Sequence, residues 1–236
     1  MRYLILLAAA ALALPAQPQR TNPVVIENAQ VRVLKVTDSP RGKGRLHEHA
    51  MNRVMVYLND GHIVLEYEGG KTDDQKVKAG EVRWSAAGGK HSSENVGGGP
   101  VEIVEIELKS QPGRKSTGAE STGPESTGAE SKPASAALDP VNVAPAHYTV
   151  LFENDQVRAL RVNIGPHEKI PRHEHTRARV VVFLTGASSK MTAADGTLSQ
   201  GDYKAGEVVF AAGAVTHAEE NLLAAPVEVV MVELKK

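Results

Sequence analysis

Six of the nine histidines in this chain form two sets of three with the same internal spacing. In the first set His47 and His49 flank a single residue, and His91 follows a Gly-rich segment further along the chain. Residues i and i+2 of a β-strand point to the same face about 6.6 Å apart, so two such imidazoles can converge on one ion. An imidazole on an adjacent strand would supply a third ligand for a divalent metal. The second set consists of His173, His175 and His217.

A competing interpretation is that the closely spaced histidines lie on a solvated strand edge and that the third is a turn residue. An internal repeat argues against it. Residues 27–36 recur as residues 153–162, an offset of 126 residues, and all three histidines keep that register. A repeat held over such a length marks two copies of one domain. We predict the two copies at residues 22–110 and 145–236.

Two segments lie outside the copies. Residues 1–16 combine a positive Arg2, an apolar stretch and small residues at the end, which predicts a signal peptide and an exported protein, periplasmic or secreted. An uncleaved anchor or a buried N-terminal strand is the alternative. Residues 111–144 carry three Ser-Thr-Gly repeats and a continuation rich in Lys, Pro, Ala and Ser, a composition typical of a flexible linker.

The composition excludes several classes of protein. Lys+Arg 27 against Asp+Glu 28 leaves no cationic excess for nucleic acid or, once the signal peptide is removed, for membranes. The absence of cysteine excludes disulfides and thiolate chemistry, so His, Asp or Glu must bind any metal. No Ser-His-Asp order, phosphate-binding loop or HExxH motif occurs. The expected partner is a small-molecule ligand, bound by a monomer or a homodimer.

Both copies show the periodicity of short β-strands. In the first copy, residues 54–58 have the pattern of a buried strand, residues 59–61 that of a hairpin turn, and residues 101–108 that of an alternating strand. No segment shows the sustained apolar spacing of a helix. We therefore predict an all-β fold in which each copy is a sandwich or a small barrel.

The same residues resemble the cupin superfamily, and their duplication resembles a bicupin. The second cupin motif, G-x5-P-x-G-x2-H-x3-N, keeps its spacing, although Ala replaces the Pro in both copies and the second Gly in the later copy. The matching positions are Gly80, Ala86, Gly88, His91 and Asn95, then Gly206, Ala212, Ala214, His217 and Asn221. The resemblance implies two tandem cupin (jelly-roll) barrels, each with a divalent metal on its three histidines. Residues 60–61 and 104–109 are more weakly similar to small cupins of beta-alanine degradation.

The first cupin motif departs from the family pattern at one position in each copy. Arg53 and Arg179 stand where the family has a metal-binding Glu. A divalent ion and a guanidinium about 6 Å apart repel by roughly 5 kcal/mol at an effective dielectric near 20. Three interpretations stay open: the arginines face outward, they bind an acidic ligand beside the metal, or the metal is lost. We expect the outward orientation, because an unpaired inward cation would weaken the three-histidine site.

Three neutral imidazoles leave the full charge of the ion and open positions for water, dioxygen or a chelating substrate. Imidazoles favour Fe, Mn, Ni, Cu or Zn, and the sequence does not choose among them. Glu94 and Glu220, three residues after the third histidine, are candidate catalytic residues, with a surface position as the alternative.

Two functional hypotheses follow. The leading one is an exported bicupin that binds or transforms a small polar molecule, with dioxygenase- or isomerase-like chemistry in its enzymatic form. The rival is a non-catalytic bicupin that binds a ligand, or serves a structural role, without metal.

Overall fold

The computed structural model describes residues 20–109 and 137–235, which fold almost entirely into β-structure. These residues form eighteen strands and one short α-helix. The predicted signal peptide and residues 111–136 of the predicted linker lie outside the described residues. No helix within the described ranges is long and apolar enough to span a membrane.

The first copy forms two antiparallel sheets that enclose one barrel. Their orders are β1-β2-β9-β4-β7 and β3-β8-β5-β6. The strands are β1 (Val24–Glu27), β2 (Val31–Asp38), β3 (His47–His49), β4 (Arg53–Tyr57), β5 (Gly61–Tyr67), β6 (Thr72–Val77), β7 (Val82–Ser85), β8 (Gly88–Asn95) and β9 (Val101–Leu108).

The second copy repeats this order after a single turn of helix. Its sheets are β10-β11-β18-β13-β16 and β12-β17-β14-β15. The elements are α1 (Pro140–Val143), β10 (Tyr148–Glu153), β11 (Val157–Ile164), β12 (Lys169–His175), β13 (Arg179–Phe183), β14 (Ala187–Ala193), β15 (Leu198–Tyr203), β16 (Val208–Ala211), β17 (Val215–Asn221) and β18 (Val227–Leu234).

Helix α1 belongs to the second barrel although it lies within the predicted linker. Asp139 caps it by accepting a hydrogen bond from the backbone N–H of Val141 at 3.0 Å, and Pro140 occupies a first-turn position where no N–H is needed. The following Ala144 is buried in the apolar core of the second barrel. The second folded unit therefore begins a few residues before the predicted boundary.

The two five-stranded sheets share one apolar core, which joins the barrels. Because strand residues alternate between faces, each of these sheets buries one face against the other barrel and the second face inside its own barrel. Each fully buried aliphatic side chain contributes about 1.5–3 kcal/mol. The shared core contains Val31, Val33, Val54, Val56, Val104, Ile106 and Leu108 from the first copy, and Val157, Val180, Val182, Val230, Val232 and Leu234 from the second.

Gly80 and Gly206, the first glycines of the two cupin-like motifs, occupy equivalent tight turns. Their φ angles are 78° and 76°, in the left-handed region that glycine adopts without strain. Their backbone N–H groups donate to the carbonyls of Tyr57 and Phe183, each at 2.7 Å. These turns bring β7 and β16 back beside β4 and β13, and so help to position the central strands of each barrel.

Candidate metal centres

The antiparallel pairing of β3 with β8 brings the first three histidines together. His47 is the register partner of His91, and His49 lies two residues further along the same strand. One ring nitrogen from each histidine lies within 4.8 Å of the others. Nε2 of His47 is 3.0 Å from Nε2 of His49. The first barrel therefore has three imidazoles that face one point in its interior.

The second barrel repeats the arrangement on β12 and β17. His173 is the register partner of His217, and their Nε2 atoms are 3.1 Å apart. His175 completes the set, whose three nitrogens also lie within 4.8 Å of one another. All three side chains are buried, which makes this pocket more enclosed than the first.

Hydrogen bonds hold the outer nitrogen of several rings and turn the inner nitrogen toward the pocket. Nδ1 of His47 donates to the carbonyl of Arg45 at 2.8 Å, and Nδ1 of His91 donates to that of Gly89 at 2.8 Å. His173 donates in the same way to the carbonyl of Pro171 at 2.9 Å. A neutral imidazole that donates from Nδ1 presents a lone pair at Nε2. Nε2 of His47 and Nε2 of His173 thus accept hydrogen bonds, and the neighbouring Nε2 atoms of His49 and His217 lie within donating distance of them. A metal ion bound between the rings would take the place of these hydrogen bonds.

Several of these histidines have lowered pKa values. Burial, helped by the neighbouring histidines and by an arginine, lowers the pKa of His49 to about 3 and that of His217 to about 3. Burial also lowers the pKa of His173 to about 4. These three imidazoles are thus neutral at pH 7, the form that binds metals. Three imidazole nitrogens on adjacent strands fit a divalent transition metal.

The two arginines at the position of the family's Glu face the barrel interiors. Arg53 is 5% exposed and Arg179 is 7% exposed. The residues next to them, Val54 and Val180, lie in the core between the barrels, and strand alternation therefore turns the arginines the other way. The expected outward orientation is wrong. The apolar face of β4 and β13 packs against the other barrel. The arginines lie on the opposite face of these strands and therefore point into the barrel interior.

The last strand of each copy supplies carboxylates that sequence reasoning missed. Glu107 is the register partner of Arg53, and Glu233 is the register partner of Arg179. In the second barrel, Oε1 of Glu233 is 3.4 Å from Nδ1 of His175. In the first, Oε1 of Glu107 is 3.9 Å from Nδ1 of His49. An anion of the protein itself therefore lies beside each inward arginine and one histidine of each set.

Glu233 is held in its ionised form. Burial by itself raises its pKa, but hydrogen bonds from His175 and Arg158 outweigh that effect and lower the pKa of Glu233 to about 2. Nε of Arg158 donates to Oε2 at 2.7 Å. In the first barrel, where the corresponding contacts are longer, burial raises the pKa of Glu107. His175 in the second barrel thus has a stronger carboxylate partner than His49 has in the first.

The two glutamates predicted as catalytic candidates lie on the outer face of their strands. Glu220 pairs with Lys190 at 2.6 Å and with Lys169 at 3.6 Å, and Glu94 lies 3.8 Å from Lys43. Strand alternation explains this position, because a residue three places after an inward histidine faces outward. The structure brings neither glutamate into contact with a histidine set, and both lie beside lysines instead.

Two further side chains distinguish the second pocket from the first. The buried hydroxyl of Tyr148 lies 3.1 Å from Nε2 of His173. Glu219, two residues after His217 and on its face of the strand, interacts with Ser189, and burial raises the pKa of Glu219. The corresponding residues of the first copy are Asn22 and Ser93. The period-2 rule could have identified Glu219, whereas nothing in the local pattern marks Tyr148.

Comparisons with known proteins support the fold. No protein-family model and no curated protein matches the sequence. A cupin 2 conserved barrel domain protein from Leptotrichia buccalis superposes with a TM-score of 0.54 at 14% identity, over 94% of this chain and 92% of that one. AerE from Microcystis aeruginosa reaches 0.59 at 12% identity, over 93% of this chain and 98% of its own. Oxalate decarboxylase from Bacillus subtilis reaches 0.58 at 14% identity, over 88% and 68% of the two chains.

These likenesses and the barrel topology define the class. The chain has the cupin fold, with two barrels in tandem, as the sequence resemblance predicted. Identities of 12–14% establish the fold and leave the activity to be argued from the pockets themselves. The weaker likeness to cupins of beta-alanine degradation stays a sequence-based expectation.

Proposed function

We propose that each barrel binds one divalent transition-metal ion on its three histidines and presents that ion to a small polar molecule. The observation that carries this proposal is the convergence of three imidazoles in each barrel, with Nε2 atoms 3.0 Å apart in the first barrel and 3.1 Å apart in the second. A metal ion would take the place of the hydrogen bonds among these rings, and the low pKa values keep His49 and His217 in the neutral form that binds metals. A bound ion would supply Lewis-acid character and an open position for a ligand.

The inward arginines favour a ligand with an acidic group. Nε and Nη1 of Arg53 are buried and have no hydrogen-bond partner among the described residues, and burial lowers the pKa of this guanidinium. Leaving buried donors unsatisfied costs about 1–3 kcal/mol each. A carboxylate or another oxyanion would satisfy them through charge-assisted hydrogen bonds. Arg179 is better satisfied, because its Nη1 donates to the carbonyls of Gly213 at 3.2 Å and Arg177 at 3.4 Å.

The rival proposal is a bicupin that folds and binds ligands without metal. The buried contacts among Glu233, Arg158 and His175 favour it, because they would hold the second barrel together whether or not an ion is present. The dioxygenase- or isomerase-like chemistry of the leading proposal requires a bound metal ion. A protein of the rival kind would bind its ligand without one.

Metal stoichiometry separates the two proposals. The purified protein, stripped and reloaded with Zn, Mn, Fe, Ni or Cu, is expected to bind two ions. The pair H47A and H91A should remove the ion from the first barrel alone, and the pair H173A and H217A should remove the ion from the second alone. His62, which bonds Asp74 on the surface at 2.7 Å, provides the matched control H62A. A folded wild-type protein that retains no ion would overturn the leading proposal.

Export is proposed on the N-terminal sequence. The positive Arg2 and the apolar stretch after it support a cleaved signal peptide. N-terminal sequencing of protein recovered from the producing cells tests this directly. A mature chain that begins near residue 17 supports export, and a chain that retains Met1 within the cytoplasm contradicts it.

A further inference from the structure

The side chain of Arg20 enters the first barrel and binds a group of buried polar residues. Its Nη2 donates to Oε1 of Glu105 at 2.9 Å, and its Nη1 donates to Oγ of Ser93 at 3.1 Å. Its Nε lies 3.5 Å from Oδ1 of Asp38. Three separate strands thus contribute one oxygen each to a single guanidinium, whose side chain is 23% exposed.

The two carboxylates need a cation at this position. Asp38 is 6% exposed and Glu105 is 4% exposed. Buried carboxylates are expensive to desolvate unless they are paired, and removal of one partner of such a group typically destabilises a protein by several kcal/mol. Arg53 also acts on Glu105, but the shortest ion pair of each carboxylate is with Arg20.

The second copy shows that this group is not required by the fold. The residues 126 positions later are Ala146, Ile164, Glu219 and Met231, so the cation and both of its carboxylates have disappeared together. Ile164 and Met231 are buried in the apolar core of the second barrel. That barrel keeps its three histidines without the group. The arrangement in the first barrel is therefore a feature of its pocket and not of barrel architecture.

The group lies next to the candidate metal centre. Ser93 follows His91 by two residues on β8, and both side chains are buried. Arg20 also acts electrostatically on His49 and His91. The chain beside Arg20 is attached by a backbone bridge between Thr21 and Thr37, with N–H···O distances of 3.0 and 2.8 Å. An arginine carried on a peripheral segment therefore occupies space inside a pocket.

We propose that Asp38, Glu105 and Ser93 form a cation-binding subsite in the first pocket, selective for a guanidinium or primary ammonium group, and that Arg20 is its intramolecular occupant. A ligand with such a group enters by displacing Arg20. The subsite contains no histidine, although an oxygen of Glu105 lies within 4.8 Å of a ring nitrogen of His49, and it needs no bound metal. It gives the two barrels different ligand preferences, because the second barrel has Ile164 and Met231 at the positions of the two carboxylates.

The test uses the metal-free full-length protein and methylguanidine as the probe, so that its outcome is independent of metal binding. In the R20A variant, calorimetric titration should show one methylguanidine per chain, bound at least tenfold more tightly than by the wild type. Methylguanidine should also raise the melting temperature of R20A. The triple variant R20A, D38N and E105Q should lose this binding. The exposed Arg45 provides the matched control R45A, which should behave as the wild type.

Two further measurements keep the proposal open to refutation. If R20A does not fold by itself, millimolar methylguanidine should restore its circular dichroism spectrum, whereas tetramethylammonium, a cation without N–H donors, should not. R20K, which keeps one ammonium group in the subsite, should fold and bind the probe more weakly than R20A. Equal binding of methylguanidine by the wild type and R20A, or no restoration of an unfolded R20A, would overturn the proposal.

Discussion

Oε1 of Glu233 lies 3.4 Å from Nδ1 of His175, and both side chains are 1% exposed. The other oxygen of the same carboxylate accepts a hydrogen bond from Arg158 at 2.7 Å. A carboxylate bonded to Nδ1 fixes the tautomer of a histidine and makes its Nε2 a better ligand. Arg179 thus stands where the first cupin motif has a metal-binding Glu. Glu233, from the last strand, instead contacts Nδ1 of His175, on the side of the ring that faces away from the other two histidines.

The E233Q variant tests this support. It keeps the shape of the side chain but removes the charge that holds His175, so we expect the metal affinity of the second barrel to fall by about 10- to 100-fold. Because Arg158 is left with a neutral partner, the free energy of unfolding should also fall, by about 3 kcal/mol. Competition with a chelator and urea denaturation measure these effects. The matched variant E107Q should have a smaller effect on the first barrel, where the contact is 3.9 Å, and equal losses in both barrels would contradict the assignment.

The R53E variant, and likewise R179E, tests the inward orientation of the arginines. A glutamate at position 53 would lie beside Glu105 and Glu107, so the metal-free protein should melt at a lower temperature because like charges repel in a buried site. The same charge should strengthen retention of a divalent ion, and added metal should restore the melting temperature. Metal analysis and thermal denaturation measure both quantities. Unchanged values in both variants would indicate outward-facing arginines and contradict the structure.

The Y148F variant tests whether the second pocket differs chemically from the first. The hydroxyl of Tyr148 is 3.1 Å from Nε2 of His173, so its removal should alter the visible spectrum of Co²⁺ or Cu²⁺ bound in that barrel. The loss of one buried hydrogen bond should lower the free energy of unfolding by about 1 kcal/mol. The ion in the first barrel, where Asn22 takes the corresponding sequence position, should keep its spectrum. An identical spectrum in wild type and variant would show that the hydroxyl does not reach the ion.

The stability of the metal-free protein should fall on mild acidification. The pKa of His173 is about 4 and that of His217 is about 3 in the folded state, against an ordinary value of 6.5. Between pH 6.5 and pH 5 the unfolded chain therefore binds protons that the folded chain does not, and the free energy of unfolding decreases by up to about 1.4 kcal/mol per histidine and pH unit. Urea denaturation in the presence of a chelator measures the slope. The double variant H173Q and H217Q should flatten it, and a stability that rises on acidification would contradict these pKa values.

Proteolysis tests how the barrels are joined. The composition of residues 111–136 predicts cleavage there. Because the two five-stranded sheets share an apolar core, the resulting fragments should stay together on size-exclusion chromatography and separate only in denaturant. Two independent domains on a flexible linker would instead come apart once the linker is cut. Fragments that separate in native buffer would show that the shared core does not hold the barrels together.

Much of this protein could be predicted from the sequence because the relevant signals are local or repeated. The HxH spacing places two imidazoles on one strand face, and the offset of 126 residues reveals the duplication without any knowledge of the contacts. The motif glycines mark turns where the backbone adopts a positive φ, as Gly80 and Gly206 do. These features indicate the fold and the membership of each histidine set.

The tertiary structure decided which way the charged strand residues point. Alternation in β9 separates Glu105 and Glu107 from Val104 and Ile106, but it does not say which face is inside. In an isolated barrel the valine and isoleucine would line the interior; here they form the contact with the other barrel, and the glutamates turn inward. The same reversal places Arg53 inside.

Long-range contacts are the other part that only the folded chain could show. Arg20 meets Glu105 across 85 residues, and Arg158 meets Glu233 across 75. No periodicity links residues so far apart, because such pairs are set by the closure of each barrel and by the packing of one barrel on the other. The sequence by itself therefore determined the repeated β-fold and the two histidine sets, and the tertiary structure determined which charges lie beside them.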